Sequence, residues 1–214
     1  MKKYICQVLC CMAFLSFALP LYLLAGEPRP EDIAARVVKT FRKAGGIEMT
    51  FSIKSDAGMS AGHICLKGGK FFLETEGIKT WFDGHTQWSY VEENGEVNIS
   101  EPTPQELRTI NPYALLQLYK EGYTLRLGKA SLEGSRAVYE LVMTATDANQ
   151  DFRHIDVLVD RENYRPLKIS FLMQGNDDRT TVVMSSYKDN QDYSDDMFVF
   201  DVKAYPDAEI IDLR

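Results

Sequence analysis

Three histidines, His63, His85 and His154, are the first residues to weigh for chemistry, because imidazole serves both as a general base and as a zinc ligand. They lie far apart in the chain, and none stands at a metal-ligand spacing from another. The pairs Glu92-Glu93, Asp177-Asp178 and Asp195-Asp196 offer the two carboxylates that glycoside hydrolysis needs. Each sits in a turn-like stretch, where solvated charge is the ordinary role. The chain contains no G-x-S-x-G elbow, no Walker A loop and no dinucleotide glycine pattern. Gly68-Gly69 lacks the helix start that phosphate binding requires. The sequence therefore names no catalytic residue, metal or cofactor. A secreted hydrolase survives only as an alternative in which a histidine and a carboxylate meet in a cleft.

The segment Trp81-Phe-Asp-Gly-His-Thr-Gln-Trp-Ser-Tyr90 points to binding instead. Asp83-Gly84 favours the positive φ angles of a two-residue type I′ turn, which folds two strands back and gathers the aromatics. They form either a surface for an apolar ligand or part of an ordinary core.

The elements that would position such a surface begin after a distinctive start. Lys2-Lys3 precede an uncharged run from Tyr4 to Ala25, and Glu27-Pro28-Arg29-Pro30 then turns polar. This is the layout of a secretory signal over 1–25, cut after Ala25, leaving 26–214 as one domain. Cys6, Cys10 and Cys11 would leave with the signal, so Cys65 stays unpaired; between Ile64 and Leu66 it reads as a small buried hydrophobe. No cysteine follows Leu24-Ala25-Gly26 to take a lipid anchor, so the expected product is exported and soluble. Without Lys2 and Lys3, 22 basic residues face 31 acidic ones, a net charge of about −9. That charge argues against nucleic acid and anionic membrane as partners.

Residues 31–43 read as a helix, with Ile33, Val37, Val38 and Phe41 on one face, Pro30 at its start and Gly45-Gly46 past its end. Nearly everything afterwards alternates in polarity, first Ile47, Met49, Phe51 and Ile53 against Glu48, Thr50 and Ser52. Further strands are expected at 61–66, 70–75, either side of the Trp81 turn, and 96–100. Others follow at 123–127, 137–145, 154–160, 166–173, 180–187, 197–201 and 209–213. Only 102–121 interrupts them, as two short helices divided by Asn111-Pro112. The fold class is mostly β (α+β): a large antiparallel sheet, one face dry, forced by its size to curl. Helices over its concave apolar face leave either a packed core or a ligand cavity.

The order of these parts resembles the LolA family of periplasmic lipoprotein carriers. Asp83-Gly84 leading to Trp88 and Tyr90, then Glu96-Val-Asn-Ile99 and Pro112-Tyr-Ala-Leu-Leu116, follow the family's sequence of motifs. Met197-Phe-Val-Phe200 and Pro206 with Ala208-Glu-Ile-Ile-Asp212 are similar to its closing strands. The resemblance implies an incomplete β-barrel lidded by helices, whose interior takes the acyl chains of lipoproteins. Its implied partners are those acylated lipoproteins, an inner-membrane releasing transporter and an outer-membrane acceptor, with the carrier itself a periplasmic monomer. Relatives often carry Arg-Pro before the third strand as a latch; here the loop is Lys67-Gly68-Gly69-Lys70, so no latch is assigned.

Expected lining residues are Met49, Phe51, Phe72, Trp81, Trp88, Tyr90, Tyr113, Leu116, Ile155, Val157, Ile169 and Phe171. Strand parity supports Phe51, Ile155, Val157, Ile169 and Phe171 best. Phe71-Phe72 and Trp81-Phe82 can each exchange faces with a one-residue slip. Met49, Met143, Met173 and Met184 would lend an interior compliance, or serve as ordinary core filler. The alternative on the same scaffold is a module that binds or senses a small hydrophobic ligand.

Overall fold

A computed structural model describes residues 27–110 and 115–214. The proposed signal segment, Pro112 and Tyr113 lie outside the described residues. Helix α1 (Pro30–Lys43) opens with proline in its first turn and has Glu31 and Asp32 at its start and Arg42 and Lys43 at its end, matching the helix dipole. Its inward stripe, Ile33, Ala34 and Val37, is completely buried.

Strands β1 (Gly46–Ser55), β2 (Gly58–Lys67), β3 (Lys70–Thr75), β4 (Ile78–Phe82), β5 (Gln87–Val91) and β6 (Glu96–Ser100) follow as successive hairpins. Helix α2 (Pro104–Ile110) comes next, then β7 (Tyr123–Leu127), β8 (Ser131–Glu133), β9 (Arg136–Ala145), β10 (Phe152–Asp160), β11 (Pro166–Met173), β12 (Arg179–Gln191) and β13 (Glu209–Asp212). All belong to one sheet ordered β13-β6-β5-β4-β3-β2-β1-β12-β11-β10-β9-β7, with β8 on β9. The ends β13 and β7 do not meet, so the curved sheet stays open. Alternate residues of every strand face inward, where Ile47, Met49, Ile64, Leu141, Met143, Ile155 and Val157 pack with α1 into the main core.

Several expectations change. The hairpin loop is four residues, 83–86, and not a two-residue turn: Asp83 Oδ1 accepts the amides of His85 and Thr86, each at 2.8 Å. Residues 197–201 are no strand. Phe198 and Phe200 are buried and Val199 exposed, as alternation requires, but no neighbouring strand pairs with them, and 195–198 form a short 3-10 turn. Alternation reports facing; a strand also needs a partner. β13 joins β6 in parallel and not antiparallel. β8 is an addition; of the second helix expected after Asn111-Pro112, Leu115 is described and is helical, and a 3-10 turn follows at Leu118–Lys120.

Candidate functional site

The inner face of β1 changes character along its length. Ile47 and Met49 are 0% and 2% exposed, whereas Phe51 and Ile53, next on the same face, are only half-buried. β11 repeats the gradient from Ile169, 3% exposed, through half-buried Phe171 to Met173 at 36%. The sheet's dry face thus runs from sealed core to open wall towards one end, the end of the turns at residues 56–57, 76–77 and 174–178.

A cavity of about 160 Å³ occupies this wall, bounded by Met49, Phe51, Ile53, Ile64, Leu73, Thr75, Ile169, Phe171, Val182 and Met184, with Leu115 closing it. The register explains the assembly. Ile64 stands opposite Met49 and Gly62 opposite Phe51 on one side, with Met184 and Val182 opposite Phe51 and Ile53 on the other. The β1–β12 register shifts between Thr50 and Phe51, a bulge whose Ser185 and Ser186 hydroxyls both meet Thr50 Oγ1. This shift puts Tyr187 opposite Met49 while keeping Met184 and Val182 on the inner face. Apart from Thr75 the wall is hydrocarbon, thioether and aromatic. It can hold an apolar chain and do no bond chemistry.

Polar contacts fasten the cover over this apolar interior. Thr103 and Glu106 form a reciprocal capping box at the start of α2, with contacts of 2.7, 2.8 and 3.3 Å, and these hold the Glu106 carboxyl below its ordinary range. Gln105 reaches Asp151 at 2.7 Å, and Arg108 pairs with Glu121. A second cavity of about 320 Å³ is walled by Phe71, Phe82, Leu107 and Leu118 together with the polar Arg108, Gln117 and Glu121. Leu115 bounds the first cavity and Leu118 the second.

The turns at the open end are acidic: Asp56, Glu76, Asp177 and Asp178 lie there. A hydrogen bond and repulsion between Asp56 and Asp178 raise the Asp56 pKa.

Of the residues expected to line a hollow, the structure brings Met49, Phe51, Ile169 and Phe171 to the cavity wall. Leu116, Ile155 and Val157 lie in the sealed core behind it. Phe72, Trp81, Trp88 and Tyr90 do not face it. They cluster on the outer face with Val97, Ile99, Phe200 and Tyr205 of the C-terminal segment. Register decides this: Phe71 pairs with Phe82 and Phe72 with Trp81, and the first pair takes the inner face. Tyr113 is outside the described residues. Sequence reasoning passed over Ile53, Ile64, Leu73 and Val182, all of which continue inner-face alternations, and Leu115 beside the chosen Leu116.

The histidines do not converge. His63 on β2 faces Glu48 at 3.9 Å, His85 in the hairpin loop faces Glu101 at 3.4 Å, and His154 on β10 faces Asp156 at 2.8 Å. Among the described residues, no three of His, Cys, Asp and Glu are arranged to hold a metal ion. Cys65 is 1% exposed, and burial pushes its thiol pKa up.

Residues 29–175 match the model of the outer membrane lipoprotein carrier protein LolA family. Comparison with curated proteins gives no match. Among solved structures, an uncharacterized conserved protein from Thermus thermophilus is 16% identical, with a TM-score of 0.61 over 85% of this chain and 98% of that one. A DUF1329 family protein from Desulfovibrio piger is 11% identical, with a TM-score of 0.51 over 83% and 100%. At these identities the two structures establish the shared fold.

Proposed function

The chain belongs to the outer membrane lipoprotein carrier protein LolA family, and from that premise we propose that it shields the acyl chains of lipoproteins in the hollow that Leu115 closes. One observation carries this reading: a wall with a single polar residue, graded from sealed to solvent-reaching, in a site without converging catalytic groups among the described residues. Burying each methylene is worth about 0.8 kcal/mol, so one long acyl chain in water costs on the order of 10 kcal/mol. A lipoprotein crossing an aqueous compartment needs that cost removed. The protein is a carrier and not an enzyme. Residues 1–25 direct export to the periplasm and are removed, and 26–214 act there as one monomeric domain. An inner-membrane transporter loads it, and an acceptor at the outer membrane receives the cargo.

At about 160 Å³ the cavity accommodates roughly a benzene-sized group, well short of the roughly 300–1,000 Å³ usual for a ligand site. Loading therefore requires the Leu115–Leu118 segment to move and join the two cavities. The same small volume favours a second reading, a module that takes one small amphiphile. Native mass spectrometry of the protein isolated from its own cell envelope separates the two. Bound acylated polypeptide supports the carrier; bound free fatty acid alone supports the second reading.

A further inference from the structure

At the end of the barrel away from the acidic turns, α1 and the β10–β11 turn build a cationic surface that the hollow does not use. Arg36 donates from Nη1 to the Tyr164 hydroxyl at 2.8 Å and lies over the Tyr164 ring, 5.1 Å from its centroid. Tyr164 stacks on Tyr139, with centroids 6.1 Å apart and planes inclined by 27°. Arg161 covers Tyr139 at 4.6 Å while its Nε donates to Val138 O. These contacts link the four in turn, Arg36 to Tyr164, Tyr164 to Tyr139 and Tyr139 to Arg161.

Three features point outward from this set. First, each guanidinium spends a single hydrogen bond on the protein and meets no carboxylate among the described residues, leaving N–H donors for an anion. Second, Lys39 and Lys43 stand on the same exposed helix face as Arg36, at i+3 and i+7, with no ion-pair partner among the described residues. The dipole accounts for Lys43 at the helix end, but not for Arg36 and Lys39. Third, Tyr164 holds φ at +57°, a conformation that costs a bulky side chain roughly 1–2 kcal/mol and that glycine or asparagine would fill more easily. A groove of about 410 Å³ runs between Tyr164 and the helix residues Asp32, Arg36 and Lys39.

We propose that this surface docks an acidic, extended segment of a partner protein, with carboxylates on Arg36 and Arg161 and the chain along the α1 groove. The groove between Tyr164 and α1 seats an extended chain, which favours an acidic polypeptide over a flat bilayer. The site leaves the open end of the hollow free, so a partner can hold the protein during loading. It does not depend on what the hollow carries.

The test uses a fluorescein-labelled peptide of about ten residues rich in Glu and Asp, followed by anisotropy on the purified protein at low and physiological salt. Arg36→Gln with Arg161→Gln, and separately Tyr164→Gly, should each weaken binding at least tenfold, while Lys203→Gln should not. Tyr164→Gly relieves the backbone, so its lost affinity cannot be ascribed to unfolding if the melting temperature holds. Equal weakening by Lys203→Gln, or no binding at low salt, overturns the proposal. So does binding of phosphatidylglycerol vesicles that depends on the same residues and displaces the peptide.

Discussion

The ring of Phe51 lies across the α-carbon of Gly62, its cross-strand partner: a β-carbon built on Gly62 would sit 2.3 Å from Phe51 Cζ and 3.0 Å from Glu74 O. Only glycine lets this ring lie flat on β2 and leave the cavity open beside it. Gly62→Ala should lift the ring into the hollow at about 1–3 kcal/mol of stability. Binding of a pyrene-labelled fatty acid should weaken severalfold. Adding Phe51→Ala should restore it; failure to do so would mean that Phe51 does not control the space.

Trp81 tests the outer cluster. It packs edge-on against Phe200 at 5.3 Å and Tyr205 at 5.8 Å on the face away from the hollow. Trp81→Ala should cost about 3–5 kcal/mol in urea unfolding and loosen the C-terminal segment. Fatty-acid affinity per folded molecule should not change.

The cover gives a kinetic prediction. Thr103→Ala removes the cap of α2 at about 1 kcal/mol, and Arg108→Gln breaks its tie to Glu121. Both should speed release of a bound fatty acid, read by stopped-flow fluorescence, with smaller effects on equilibrium affinity. Unchanged release would mean that the α2 cover does not gate the hollow.

Asp195 carries a pH prediction. Lys70 at 2.8 Å and Lys67 at 3.1 Å hold its carboxyl below the ordinary 3.8, clamping the C-terminal segment to the β2–β3 hairpin. A lowered folded-state pKa means stability that is complete above 3.8 and lost as pH falls through the lower folded value. The difference in melting temperature between wild type and Asp195→Asn should therefore be largest near neutral pH and shrink below pH 3.8. A difference that grows on acidification would contradict the assignment.

Much of this was readable from periodicity. Inner-face residues of β1, β10 and β11 (Met49, Phe51, Ile155, Val157, Ile169 and Phe171) follow directly from period-two alternation with polar neighbours. Phe71-Phe72 and Trp81-Phe82 could not be read that way, because adjacent aromatics fit either face and cross-strand register alone chooses. Nor does the sequence reveal that Phe200 and Tyr205 return to cover Trp81, which is a contact between residues more than a hundred positions apart. The bulge at Ser185 hid Val182 for the same reason, since an extra residue breaks the alternation that would have marked it. The Arg36–Tyr164 contact spans 128 positions and was equally invisible.

A synthetic lipopeptide with a photoreactive group in its sixteen-carbon tail, irradiated on the protein and mapped by peptide mass spectrometry, shows where the acyl chain goes. Labels should fall on Phe51, Phe171 and Met184, the half-buried wall of the inner hollow. Labels confined to Trp88 and Tyr90 on the outer face, or no specific label at all, would contradict this placement.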